Sequence, residues 1–171
     1  MDFNIVREIC NYLIANINDD ISADDIATEF HYNKFYLMRK FKEHTGFTLN
    51  EFINECRIYN STNPLIFTDD TILKIALNNG FNSLEYYSEK FKEVIGTSPL
   101  RFRKIYTGLL YIAETTKDPE ELKEVRASLE ALEEYQTFLN NMGNSPEYSE
   151  EEPTISRPKI KIIKTNSSKA A

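Results

Sequence analysis

Residues 36–46 read Tyr-Leu-Met-Arg-Lys-Phe-Lys-Glu-His-Thr-Gly, and fifty residues later 86–96 read Tyr-Tyr-Ser-Glu-Lys-Phe-Lys-Glu-Val-Ile-Gly. Between residues 36–52 and 86–102, seven identities fall at this offset of 50: Tyr36 and Tyr86, Lys40 and Lys90, Phe41 and Phe91, Lys42 and Lys92, Glu43 and Glu93, Gly46 and Gly96, Phe52 and Phe102. Self-similarity at a fixed period means one supersecondary unit used twice. Upstream, Ile26-Ala27 is echoed by Ile75-Ala76 at an offset of 49, so the second unit has a turn one residue longer. That turn contains Gly80, which takes positive φ without steric cost.

Outward from the repeat, the first unit has a clear grammar. Ser22-Ala23-Asp24-Asp25 gives a Ser-x-x-Asp N-terminal cap. It opens a short helix whose inward residues are Ile26, Ala27 and Phe30. A tight turn at His31-Tyr32-Asn33 leads to a longer helix, Lys34 to Thr45, stopped by Gly46 where a left-handed C-cap is wanted. Short helix, turn, longer helix is a helix-turn-helix. Ahead of it, from about Asn4 to Asn16, Ile5, Ile9, Tyr12 and Leu13, with Ile17 beyond, recur at helical spacing before Asn18-Asp19-Asp20 breaks the pattern. A connecting helix begins near Asn50, with Phe52, Ile53, Cys56 and Ile58 facing inward. Pro64 removes an amide donor and pushes Asn63 out of helical geometry, at a cost of about 3 kcal/mol inside a helix. An early stop near Ser61 is therefore expected, with a kink or loop setting the spacing of the two units.

The expected class is all-α: two helix-turn-helix subdomains in residues 1–106 joined by the connecting helix, a helical extension over 107–143, and a disordered tail over 144–171. Ser98-Pro99 starts a helix with Phe102, Ile105, Leu109, Leu110 and Ile112 along it, and Asp118-Pro119-Glu120-Glu121 starts another. On the last helix Leu122, Val125, Leu129, Leu132 and Leu139 form a stripe that Gln136 interrupts. The simplest use of this stripe is a hairpin with the preceding helix; the alternative is a dimer seam through 119–142.

Charge divides the chain in the same places. Residues 1–107 hold 12 Lys/Arg against 15 Asp/Glu, residues 108–153 hold 3 against 12, and residues 154–171 hold 5 against none. The total of −7 is unfavourable for a nucleic-acid binder, so the distribution decides. Arg157, Lys159, Lys161, Lys164 and Lys169, interleaved with Ile160, Ile162 and Ile163, allow the tail three roles: phosphate contact, strand addition to a partner, or a solubilising end. Cys10 and Cys56 lack C-x-x-C spacing and read as reduced thiols. No basic leader follows Met1, and no window approaches ~18 uninterrupted apolar residues. The expectation is a cytoplasmic protein with no membrane partner. No nucleophile elbow, phosphate-binding Gly-rich loop, H-E-x-x-H or Cys/His cluster is present, so neither catalysis nor a metal or other cofactor is expected. His31 and His44 read as structural or solvated.

Taken together, Ile26-Ala27, Phe30 to Leu37, Phe41-Lys42, Gly46 and Glu51 to Ile58, then Ile72, Ile75-Ala76-Leu77, Gly80-Phe81-Asn82-Ser83, Tyr86-Tyr87-Ser88, Phe91-Lys92, Gly96-Thr97-Ser98-Pro99 and Phe102-Arg103 resemble the DNA-binding half of AraC/XylS-type transcriptional regulators. The resemblance covers about 100 residues and includes paired G-F-x-S and G-x-S-P signatures. It implies two recognition helices entering successive major-groove segments of double-stranded DNA, about 34 Å apart. On this chain it offers Asn33, Phe35, Met38 and Arg39 for base readout, Arg39 foremost because a guanidinium grips guanine bidentately. Lys34, Lys42, Arg57, Lys90 and Lys92 are offered for phosphates.

The second recognition helix departs from the family, exposing Leu84, Glu85, Tyr86 and Glu89 where relatives commonly place Gln, Ser, Lys or Arg. Two carboxylates near phosphates offset Lys90 and Lys92. The leading expectation is therefore a stand-alone, sequence-specific transcriptional regulator that reads the major groove mainly through its first recognition helix. The alternative is an adaptor that keeps the fold but binds RNA polymerase or another regulator instead of DNA.

Overall fold

The computed structural model describes residues 3–141. The expected tail, 144–171, and the last position of the 119–142 seam lie outside the described residues. Eight helices follow in order: α1 (Phe3–Ala15), α2 (Ala23–Glu29), α3 (Lys34–Thr45), α4 (Leu49–Phe67), α5 (Ile72–Asn78), α6 (Leu84–Ile95), α7 (Pro99–Thr115) and α8 (Pro119–Asn141). Among the described residues every regular element is helical, and none is long and apolar enough to cross a membrane.

Local chemistry sets the boundaries. Ser22 with Asp25 and Thr48 with Glu51 form reciprocal capping boxes at α2 and α4, while Asn33, Thr71, Ser83 and Ser98 cap α3, α5, α6 and α7. Each such cap is worth about 1 kcal/mol against Ala. α3 and α6 both end on a glycine in the left-handed region, Gly46 and Gly96. The first head, α2 and α3, and the second, α5 and α6, repeat each other in packing as well. Phe41 meets Phe52 edge-on at 5.7 Å, and Phe91 meets Phe102 edge-on at 5.3 Å. All four rings are fully buried. The repeated phenylalanines are thus the matched core of two heads.

One expectation is corrected here. α4 does not stop near Ser61 but continues through Pro64 to Phe67. Pro64 removes the donor only for the carbonyl of Asn60, four residues back, and Asn60 is an exposed residue, so that carbonyl is not left in the core. Buried Leu65 and Ile66 hold the turn beyond it. The polar residues that read as a break are bonded within the helix: Ser61 Oγ donates to the Ile58 carbonyl at 2.6 Å, Thr62 Oγ1 to that of Tyr59 at 2.7 Å. Buried Tyr87 donates its hydroxyl to Ser61 at 2.9 Å, tying α6 to this segment. At 1.5 Å per residue, α4 is a spacer of about 28 Å.

α7 and α8 pack as the expected hairpin, but the seam differs from the sequence stripe. Val125, Ser128, Leu132, Tyr135 and Leu139 are buried in alternating steps of three and four, while Leu122 is 38% exposed and Leu129 half-buried. The seam's polar members are satisfied. The Tyr106 hydroxyl donates to the Ser128 carbonyl, and the Tyr135 hydroxyl donates to the buried carboxylate of Glu55. Tyr135 also stacks on Tyr59 at 4.4 Å and 14°. α8 therefore lies from α7 onto α4, and its stripe is occupied within the chain rather than offered to a second copy.

Candidate nucleic-acid interface

Asn33 places the first recognition helix. Its Oδ1 accepts from the amides of Phe35 and Tyr36, so this residue, expected at the bases, spends its acceptor as the cap of α3. The next residues project outward in one strip. Phe35 is 77% exposed and Met38 37% exposed. Arg39 stands among them with its side chain 65% exposed, its guanidinium 5.8 Å from the Tyr36 ring centre and 3.8 Å from Glu43. Such a surface ion pair is worth well under about 1 kcal/mol, so a ligand can take Arg39 from it.

The expected phosphate contacts differ in freedom. Lys42 and Lys92 are exposed and make no ion pair among the described residues. Lys34 is held by Asp24 at 2.6 Å. Lys90 is held by Glu93 at 2.7 Å, which raises its pKa and keeps it charged, and sits 5.7 Å from the Tyr86 ring centre.

Arg57 corrects the expectation of a phosphate contact. Its Nε donates to the carbonyl of Ile17 at 2.7 Å, Nη2 to Asp19 at 2.9 Å and Nη1 to Gly80 at 2.9 Å. The first two carbonyls belong to the loop after α1 and the third to the turn between α5 and α6. One guanidinium thus fastens to α4 both the loop that leads into the first head and the turn inside the second. Partial burial lowers its pKa, against the opposing pull of Asp20 and Tyr86. Gly80 is required at that point twice over. Its φ is +77°, and a Cβ there would lie 2.8 Å from Arg57 Cζ. Arg103 makes a comparable staple, donating to the carbonyls of Leu65 and Asp70 at 2.9 and 2.7 Å.

In the second recognition helix, Leu84 is half-buried against the core rather than outward, which corrects its place in the exposed set. Glu85 and Glu89 are exposed. Tyr86 is 44% exposed but held in place, because its hydroxyl accepts from Asn54 Nδ2 at 3.0 Å. A cleft of about 300 Å³ between the loop after α1, the spacer α4 and the start of α6 is lined by Asp20, Asn50, Asn54, Arg57, Ser83 and Tyr86. Sequence reasoning missed the Arg57 and Arg103 staples and the Asn54 link. Gly80 was the one signal of a close approach.

Cys10 and Cys56 are buried, and desolvation pushes the Cys10 thiol up to about 12 and raises that of Cys56 as well, so neither is a ready nucleophile. Among the described residues, no group of three or more His, Cys, Asp or Glu is placed to hold a metal ion.

Two capped helix-turn-helix heads on one spacer, each presenting the outer face of its second helix, define a class of paired-head nucleic-acid-binding domain. The sequence matches the helix-turn-helix domain family over residues 26–105. It is 33% identical over 105 residues to the HTH-type transcriptional activator AarP of Providencia stuartii, an alignment covering 61% of this chain and 78% of that protein. It is 31% identical over 98 residues to an uncharacterized HTH-type transcriptional regulator of Staphylococcus aureus strain COL, covering 57% of this chain. The chain spans only 13% of that regulator's length. Among solved structures, an AraC-type transcriptional regulator from Chromobacterium violaceum is 26% identical with a TM-score of 0.56, covering 60% of this chain and 91% of that one. The chain belongs to the AraC/XylS-type family of DNA-binding regulators.

Proposed function

We propose that this protein is a sequence-specific transcriptional regulator whose first head supplies most of its grip on double-stranded DNA. The observation that carries the reading is the outward strip of α3, where an exposed Arg39 stands between apolar Phe35 and Met38 with Lys42 one turn along. A guanidinium donates two parallel hydrogen bonds to guanine O6 and N7, and the apolar pair suits thymine methyl groups. Lys42 and Lys92 flank the strips as phosphate contacts. Arg57 is left out of this reading because three of its five N–H donors already serve backbone carbonyls.

The test is a titration of the full chain against duplex DNA selected from a random pool, at several salt concentrations. Affinity falls steeply with salt. Arg39→Ala weakens binding to the selected duplex by about 10- to 100-fold, with fold stability unchanged. Undiminished binding by that variant removes Arg39 from base readout.

Glu85 and Glu89 favour a second reading, in which the acidic face of α6 docks on a basic surface of RNA polymerase or another regulator. Capture of such a partner, together with no duplex binding at low salt, would establish it.

A further inference from the structure

α3 and α6 are in register to the residue. Arg39 and Glu89 are each the sixth residue of twelve-residue helices, capped at Asn33 and Ser83 and closed at Gly46 and Gly96. Phe41 and Phe91 fill the same core place against Phe52 and Phe102, so Glu89 occupies in the second head the station that Arg39 occupies in the first. The N-terminal turn of α6 is held against the spacer by the Asn54 to Tyr86 bond, and the turn before it by Arg57 on Gly80. Glu89 is exposed on this positioned helix and makes no ion pair among the described residues, the adjacent Lys90 being engaged with Glu93.

Glu85 has a local reason for its charge, since it lies in the first turn of α6, where the helix dipole favours a carboxylate. Glu89, a turn further on, lies past the reach of that dipole, and its charge acts locally on the adjacent Lys90. A cation at this station is drawn to phosphates on any duplex and adds affinity regardless of sequence. A carboxylate is repelled by phosphates and by the acceptors that guanine, adenine and thymine present in the major groove. Cytosine alone presents an amino donor with no acceptor of its own beside it.

We propose that Glu89 is a specificity-determining residue, accepting a hydrogen bond from the N4 amino group of a cytosine about one helical turn from the guanine held by Arg39. The inference rests on the DNA-binding reading above. In it the first head supplies affinity and the second supplies rejection, since every duplex lacking a cytosine at that place meets an unpaired carboxylate.

Selection of duplexes from a random pool by the full chain and by Glu89→Gln tests this. The unmodified protein enriches two elements about 10 base pairs apart, one with a fixed guanine and one with a fixed cytosine. Glu89→Gln moves the second element from cytosine to adenine, which a carboxamide recognises bidentately, changing preference at that base pair by about 10- to 100-fold and leaving the guanine element in place. A guanine element alone, or a second element unmoved by Glu89→Gln, overturns the role of Glu89 while the DNA-binding reading stands. Failure to enrich any duplex at low salt overturns both.

Discussion

The two heads share their inward chemistry and differ in their outward chemistry. Phe41 against Phe52 and Phe91 against Phe102 build the same edge-on pair, and Lys40 with Glu43 and Lys90 with Glu93 build the same ion pair. At the exposed stations the character inverts: Phe35 and Arg39 in α3 stand where Glu85 and Glu89 stand in α6. Packing dictates residues at caps, C-caps and core, because a wrong choice there costs folding free energy. Packing dictates nothing at stations 35, 39 and 89, and at 85 only the helix dipole favours a carboxylate, so these are where binding chemistry can differ between copies of one scaffold.

The turns supply a second contrast. Gly80 and His31 hold equivalent places, each followed by an amide bonded back to the preceding helix, Phe81 to Ala76 and Tyr32 to Ala27. Both have positive φ, +77° and +56°. The first head keeps a histidine in a conformation that suits glycine, while the second has glycine where the Arg57 guanidinium presses against it.

The comparison breaks most severely at Arg57. Arg57→Ala removes the bonds to the Ile17, Asp19 and Gly80 carbonyls at once and costs on the order of 3 kcal/mol, measured by urea unfolding; Arg57→Lys recovers little, because an ammonium cannot reach three separated acceptors in the fork geometry of a guanidinium. If the heads rely on this shared fastening, the single unfolding transition of the native chain broadens or splits. A smaller effect comes from making the heads alike outside as well as inside. The double substitution Glu85→Phe with Glu89→Arg tightens non-specific duplex binding by about tenfold and steepens its dependence on log salt by about 0.9 if the new arginine meets one phosphate. The smallest effect sharpens the contrast between the turns. His31→Gly relieves a left-handed residue and stabilises the chain by about 1 kcal/mol or less, the gain being reduced by the entropy glycine loses on folding; a lower melting temperature would show that the His31 side chain contributes more than its backbone costs.

The legible parts of this fold were those whose cause lies within a few residues. Ser22 with Asp25, Asn33 before α3, Ser98-Pro99 before α7 and Gly46 and Gly96 after the recognition helices are local devices, and the repeat shows twice which residues face inward. Pro64 misled because its cost depends on which side of α4 it faces, and only the packed structure shows Asn60 in solvent. Arg57 reaches the carbonyl of Ile17 across 40 residues, and Tyr135 reaches Glu55 across 80. A backbone carbonyl leaves no mark in a sequence, so Arg57 read as one more exposed cation. At the candidate interface, residue types and spacing separated Arg39 from Glu89, whereas the half-burial of Leu84 and the anchoring of Tyr86 depended on neighbours brought in by α4.

All three acceptors of Arg57 are main-chain oxygens. Side-chain substitutions at Ile17 and Asp19 can therefore change without removing a single one of those acceptors, and the donor side resides in one codon. Genetic tolerance around this junction should accordingly be lopsided: permissive at exposed Asp19, restricted at Ile17 by its burial in the core, intolerant at position 57, and restricted at Gly80 for steric reasons.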